Sequence, residues 1–298
     1  MHYPHIAFLG IGLMGKPMAT RLLAAAYPLT AWNRTRAKAN GLTGASVADT
    51  PTAAVVQADI VITMLESGPV VTEIVEQISP ALRSGTLVID MSSTRQLEAE
   101  LLHQTVAARG CAFLDAPVSG GVLGAEAGTL AIMAGGSAED FARAADVLKI
   151  LGRPTHVGGA GCGQLAKLCN QLIVGGTLNI VAEALLLAQA GGADPAAVRN
   201  ALRGGFAESR ILEVHGQRML ERNFLPGGQV KSQAKDMENI LAAAAAAGLH
   251  LPLAEAVRRI YRTLLPTAPH ADQSAVLLAI EAANPGLRLG SKPDQLPD

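Results

Sequence analysis

The chain has only three cysteines, Cys111, Cys162 and Cys169, which form neither a CxxC pair nor an even set. Nothing in the cysteine pattern suggests a disulfide framework, and a reducing compartment, the cytoplasm, is expected. Net charge is equally scarce: 24 basic against 25 acidic residues leave -1 at pH 7. There is thus no general electrostatic reason to expect nucleic acid or an anionic membrane as partner, and a small-molecule ligand becomes the default. Residues Met1 to Gly10 lack the basic segment, apolar stretch and small-residue cleavage site of a secretory signal. The longest apolar stretches are broken by Gln, Lys, Asn or Glu before the ~18 residues a membrane span requires. The histidines, His2, His5, His103, His156, His215, His250 and His270, share no motif, and each reads as a surface or satisfied structural residue. No metal site is expected.

Apolar residues are plentiful, at 49% against 16% charged, which puts the chain well outside the compositions that stay disordered. Its 298 residues suffice for about two domains, each with its own core, and two domains allow a cleft. The first half alternates β-rich runs with helical patterns: Ile6 to Leu9, Leu29 to Trp32, Ile60 to Leu65, Thr86 to Asp90, then Ala112 to Asp115, Leu130 to Ala134 and Thr155 to Val157. Such alternation predicts a parallel sheet covered by helices. Thr50-Pro51 marks a helix start, with Thr as cap and Pro at the first helical position.

After Gly158-Gly159-Ala160-Gly161 the pattern changes to one long apolar helix, Gln164 to Ala190, and a domain boundary is placed there. The remainder reads as helices over Pro195 to Leu202, Ser209 to Glu221, Ser232 to Ala247, Leu253 to Leu264 and Ala271 to Ala282. The Pro- and Gly-rich segment from Asn284 to Asp298 reads as a loose extension. The expected fold is α/β: a Rossmann dinucleotide-binding domain over 1–161, joined by a long interdomain helix to an all-helical substrate and oligomerisation domain over 162–298.

Gly10-Ile11-Gly12-Leu13-Met14-Gly15 follows an apolar strand and opens a helical pattern, the setting a dinucleotide fingerprint requires. Gly10 permits a tight turn, Gly12 lets backbone approach a pyrophosphate, and Gly15 lets helix pack on strand. A glycine turn of a flavodoxin-like domain is the alternative. The end of the second strand selects the dinucleotide: an acidic residue there would accept from a ribose 2′-OH, whereas this chain has Asn33-Arg34-Thr35. Arg34 offers a planar charged fork, with donors from Asn33 and Thr35, so NADP(H) is preferred and NAD(H) possible; a solvated surface Arg is the alternative. Met64 and Leu65, and Ser93 within Ser92-Ser93-Thr94, stand at strand ends where such cofactors bind.

Asp115-Ala116-Pro117-Val118-Ser119-Gly120-Gly121 ends a strand with a turn of small residues able to expose amides to an anion, such as a substrate carboxylate. In Gly163 to Gln171, Lys167, Asn170 and Gln171 share one helix face that is otherwise apolar. Burial shifts a lysine toward a pKa useful for proton transfer. A lysine snorkelling from the helix start is the alternative.

Together these motifs resemble the 3-hydroxyisobutyrate dehydrogenase and 6-phosphogluconate dehydrogenase-like superfamily over nearly the entire chain. The resemblance implies that Lys167 is the acid-base residue assisted by Asn170, and that Ser119, Gly120, Gly121 and Gln171 hold substrate. It further implies that Lys235, of the pair Lys235-Asp236, closes over the cofactor, and that the protein is a homodimer or homotetramer. Gly204-Gly205-Phe206-Ala207, Ser209 to Leu212 and Arg222 to Gly227 resemble the tartronate semialdehyde reductase branch. The chain departs from that branch at Gln273, where histidine is usual, and in Lys231-Ser232-Gln233. It departs from 6-phosphogluconate dehydrogenase in having Asn170-Gln171 where that enzyme has His-Asn. The implied activity is NADPH-dependent reduction of a short carboxylate-bearing aldehyde. Succinic or methylmalonate semialdehyde reductases and 3-hydroxyisobutyrate dehydrogenase are alternatives. Imine reductases share the fold but generally replace the lysine, and a non-catalytic dinucleotide-binding module is a further alternative.

Overall fold

Ile6, Ala7, Phe8 and Leu9 form strand β1 with every side chain buried, which is possible only if both faces of the sheet are covered. The computed structural model describes residues 3–297. The other strands are β2 (Leu29–Trp32), β3 (Ser46–Val47), β4 (Ile60–Thr63), β5 (Leu87–Asp90), β6 (Ala112–Asp115), β7 (Val118–Ser119), β8 (Leu130–Gly135) and β9 (Gly152–Gly158). Helices α1 (Gly15–Ala24), α2 (Arg36–Asn40), α3 (Pro51–Val55), α4 (Gly68–Ile78), α5 (Gln96–Ala107), α6 (Gly121–Ala127) and α7 (Ala138–Leu151) connect them. The remaining helices are α8 (Cys162–Ala190), α9 (Pro195–Ala201), α10 (Arg210–Glu221), α11 (Val230–Ala246), α12 (Pro252–Leu264) and α13 (Val276–Ala282).

The chain divides into two compact units, Met1–Lys167 and Leu168–Asp298. In the first, the sheet runs β3-β2-β1-β4-β5-β6-β8-β7, with β9 beside β8. Because side chains alternate across a strand, Ile6 and Phe8 join one core with Met18, Leu22 and Leu148, while Ala7 and Leu9 join another with Val71, Val75 and Val106. Strand order reverses between β1 and β4, creating the crevice where dinucleotides bind in such sheets. The sheet is not wholly parallel: β8 runs antiparallel to β6 and β7. The two-residue strands β3 and β7 are too short to leave a periodic signature in the sequence. Thr50 caps α3 as expected, accepting from Ala53 N at 3.0 Å.

In the second unit, Leu178, Val181, Ala182, Leu185 and Leu186 of α8 join a core with Met219, Met237, Ile240, Val257, Tyr261 and Leu277. Their spacing is that of one helix face. By length and composition alone α8 reaches the threshold for a membrane span, an 18-residue window having a mean hydropathy of 1.7 despite its polar interruptions, but its apolar face is buried in this core. The segment expected to be one helix from Ala271 starts instead as a tight turn: buried Asp272 accepts from Ser274 N at 3.0 Å, and α13 follows from Val276.

The segment after Asn284 is not a loose extension. Asn223 and Gln295 form a β-bridge, and Gly290 N donates to Gln189 Oε1 at 2.8 Å. Arg222, only 1% exposed, binds Glu281 through two nitrogens at 2.6 and 2.9 Å, Leu289 O at 3.1 Å, and also Asp294. A buried guanidinium needs such partners, and the tail supplies two of them.

Candidate active site

Gly10 leaves β1 at φ +108°, and a Cβ there would fall 2.2 Å from Met64 O. One on Gly15 would fall 1.9 Å from Gly10 O, so the turn and α1 close together only through glycine. Gly12 differs: a Cβ there would meet nothing within 4 Å. Bare backbone at Gly12 thus faces open space, and α1 begins beside it with no acidic residue in its first turn and no side-chain cap. That combination suits a dinucleotide pyrophosphate, which Gly10 to Gly15 would hold. Leu13 projects outward and Met14 is half-buried.

Asn33 ties this turn to the end of β2. Its Oδ1 accepts from Ile11 N at 2.9 Å and its Nδ2 donates to Thr35 O at 3.0 Å, so both ends of the amide position backbone. Arg34 and Thr35 are exposed, and Arg34 Nη2 stands 3.9 Å from Glu66 Oε2. Past β4, Leu65 N donates to Ser92 Oγ at 2.9 Å, joining the Met64-Leu65 segment to the turn that carries Ser93. The structure therefore gathers Gly10 to Gly15, Asn33, Met64, Leu65 and Ser93 at the carboxyl ends of β1, β2, β4 and β5.

Two residues that sequence reasoning missed, Asp90 and Asp115, close β5 and β6 side by side and are fully buried. Asp115 Oδ1 accepts from Gly161 N at 3.0 Å and Oδ2 from Gln164 N at 2.8 Å. It thereby caps α8 from a distant strand, as a local Asp would cap its own helix. His103 Nε2 lies 3.2 Å from Asp115 Oδ1, the satisfied structural setting foreseen for the histidines. Asp90 Oδ1 accepts from Thr63 Oγ1 at 2.7 Å and Ser92 N at 3.1 Å. Burial pushes Asp90 up to about 6, against hydrogen bonds from Ser92 and Thr63, and Asp115 nearby adds to the rise. The signal available in sequence was an aspartate ending each of two apolar runs.

The Asp115 cap fixes the first turns of α8, and Lys167, half-buried, follows one turn after Gln164. The same aspartate ends the strand leading to Ser119, Gly120 and Gly121. Gly120 and Gly121 take φ +139° and +63°, a backbone that L side chains rarely adopt, and both are exposed. One aspartate thus caps the helix that carries Lys167 and ends the strand that leads to the Ser119 loop.

In the second unit, Asn170 Nδ2 donates to Gln171 Oε1 at 2.9 Å, and Gln171 Nε2 donates to Asp236 Oδ2 at 2.7 Å. Gln233 Nε2 returns a bond to Gln171 O at 3.0 Å. Gln171 is thereby held to α11, which also carries Lys235, its Nζ 3.8 Å from Asp236 Oδ1. Among the described residues no group of three or more His, Cys, Asp or Glu could hold a metal ion.

A family model described as the NAD binding domain of 6-phosphogluconate dehydrogenase matches residues 5–163. A second, described as NAD-binding of NADP-dependent 3-hydroxyisobutyrate dehydrogenase, matches residues 161–280. The chain is 39% identical to a 2-hydroxy-3-oxopropionate reductase of Escherichia coli (strain K12), over 93% of this chain and 97% of that one. It is 35% identical to an NAD-dependent L-serine dehydrogenase of Pseudomonas aeruginosa, over 87% and 92%. A solved structure of Mycobacterium tuberculosis 3-hydroxyisobutyrate dehydrogenase with L-serine matches with a TM-score of 0.86 at 32% identity, covering 94% of this chain and 99% of that one.

Proposed function

The chain belongs to the 3-hydroxyisobutyrate dehydrogenase-like family of nicotinamide-dependent oxidoreductases acting on CH–OH groups, and we propose that it reduces a short carboxylate-bearing aldehyde, tartronate semialdehyde first among them, with NADPH. The observation that carries this reading is the position of Asp115, from which the helix with Lys167 and the loop with Ser119 both depart.

A bound nicotinamide dinucleotide supplies the hydride that reduces the aldehyde carbon. Gly10 to Gly15 hold its pyrophosphate, and Arg34 and Thr35 take the 2′-phosphate, with Asn33 fixing their loop. Met64, Leu65 and Ser93 would hold its other half. Ser119 with the Gly120 and Gly121 amides binds the substrate carboxylate, which fixes the carbonyl in place. Protonated Lys167 Nζ donates a hydrogen bond to the carbonyl oxygen and transfers its proton as negative charge develops there. Asn170, one turn further along α8, orients lysine and substrate. Gln171 acts through its bonds to Asp236 and Gln233, and the family resemblance is what assigns Lys235 to the cofactor.

The test is a panel of tartronate, succinic and methylmalonate semialdehydes and glyoxylate, each with NADPH and NADH, run beside Lys167→Met. L-serine is included in the oxidative direction because two relatives are named for it or bound to it. Highest kcat/KM with tartronate semialdehyde and NADPH, lost in Lys167→Met while NADPH binding persists, is the expected result. Near-normal turnover in the variant overturns the role of Lys167, and preference for another acid or for NADH overturns the substrate or cofactor assignment.

A further inference from the structure

Gln164 is 1% exposed and uses its whole side chain within the first unit. Its Oε1 accepts from Thr94 N at 3.0 Å, and its Nε2 donates to Ser92 O at 2.8 Å. The amide therefore brackets Ser93, holding the residues on either side of it. Its own backbone N–H donates to Asp115 Oδ2 at 2.8 Å, and Lys167 follows three positions later on the same helix.

We propose that Gln164 is a positioning residue that locks the Ser92-Ser93-Thr94 turn to the helix carrying Lys167, and so sets the nicotinamide half of the cofactor relative to the proton donor. The catalytic part of this rests on the role assigned to Lys167; the binding part rests only on nicotinamide dinucleotide binding by the family. The end of β2 lies on one side of the β1/β4 switch and takes the adenosine half. The turn after β5 lies on the other side, where the nicotinamide half belongs. Gln164 accordingly acts on one half of the ligand.

Both groups bonded by Gln164 are backbone groups in a buried place, so removing its amide leaves a donor and an acceptor without partners. Displacement of the turn by even an ångström is enough to harm a reaction that depends on placement. The geometry also fixes how substitutions rank. Leucine fills the volume and makes neither bond. Glutamic acid reproduces both bonds when protonated, its hydroxyl donating to Ser92 O and its carbonyl accepting from Thr94 N. Once ionised it sets a carboxylate against the Ser92 carbonyl.

The experiment compares the affinity for NADP+ with that for its adenosine fragment 2′,5′-ADP by calorimetry in wild type, Gln164→Leu and Gln164→Glu. NAD+ and AMP serve as the pair should the protein prefer the unphosphorylated cofactor. Gln164→Leu is expected to weaken NADP+ about tenfold through displacement of the turn, and 2′,5′-ADP by about twofold or less. Gln164→Glu is expected to approach wild-type NADP+ affinity at pH 5.5 and to lose it by pH 8, with the fragment unaffected throughout. Equal losses of NADP+ and fragment, no loss of either, or a pH-independent Gln164→Glu variant overturns the proposal. If Gln164→Leu does not fold, the pH arm with Gln164→Glu decides alone. Failure of the cofactor assignment shows separately, as a wild type that binds neither dinucleotide, and failure of the Lys167 assignment shows only in turnover.

Discussion

Asp115 Oδ2 accepts the backbone N–H of Gln164 at 2.8 Å across 49 positions of sequence, so a strand-end carboxylate starts the helix that carries the candidate proton donor. Because Asp115 also accepts from Gly161 N, it satisfies two donors that α8 would otherwise leave orphaned.

Asp115→Ala should therefore lower stability by about 2–3 kcal/mol, the scale of a lost helix cap plus unsatisfied buried donors. It should also reduce kcat more than the KM for NADPH. Urea unfolding and steady-state kinetics check this together. A variant as stable as wild type would mean that water replaces the carboxylate without loss.

Arg34 stands exposed at the end of β2 with Glu66 at 3.9 Å. Arg34→Ala is expected to weaken NADPH at least tenfold while leaving NADH within about twofold, since only the phosphorylated cofactor gains from the guanidinium fork. Glu66→Gln, which removes the competing carboxylate, is expected to tighten NADPH by about two- to threefold, an effect that fades in high salt. Fluorescence titration with both cofactors measures each change.

Burial pushes Asp90 up to about 6 from an ordinary 3.8, so the folded chain binds this proton more tightly than the unfolded chain does. The stabilising contribution of that proton is fully present below about pH 4 and is lost as pH rises through about 6. Asp90→Asn keeps an acceptor for Thr63 and Ser92 without titrating. Its stability should exceed that of wild type by about 2–3 kcal/mol at pH 8 and converge on it toward pH 4. Unfolding midpoints across that range give the answer, and parallel curves would reject it.

Arg222→Met leaves Glu281 without its bidentate partner and should cost about 3–5 kcal/mol. The double variant Arg222→Met with Glu281→Met should recover most of that loss, because Asp294, the other acidic partner of Arg222, keeps Arg288 Nη2 at 3.1 Å and no buried charge is left unpaired. Denaturant midpoints of the three proteins distinguish a charge effect from a packing effect, for which the losses would add.

The parts of the fold read directly from sequence were those with local causes. Gly10, Gly12 and Gly15 announce their turn through spacing alone, β1, β2 and β6 have the expected bounds, and Thr50-Pro51 caps its helix. Where long-range pairing decides, the sequence was silent. Asn33 was read as a phosphate donor, and the bond that makes it a tether comes from Ile11, 22 positions earlier. The tail read as loose because it is rich in Pro, Gly and polar residues, while Arg222, which holds it, is far upstream. The reversal of β8 follows from its pairing with β7, a strand of two residues. Lys167 stood out through its motif as a candidate, but Gln164, in the same motif, carried no chemistry until its partners were known.

The bonds from Asp115 and Gln164 also bear on how this protein could be recombined with its relatives. A crossover at the glycine run Gly158 to Gly161 would join a foreign helix to the native strand ends, and because both side chains bond only backbone across the joint, one half must bring an aspartate at 115 and the other a glutamine at 164. Chimeras that keep both side chains should assemble from a joint at that run, and those that lose either should be destabilised even when each half comes from a working enzyme.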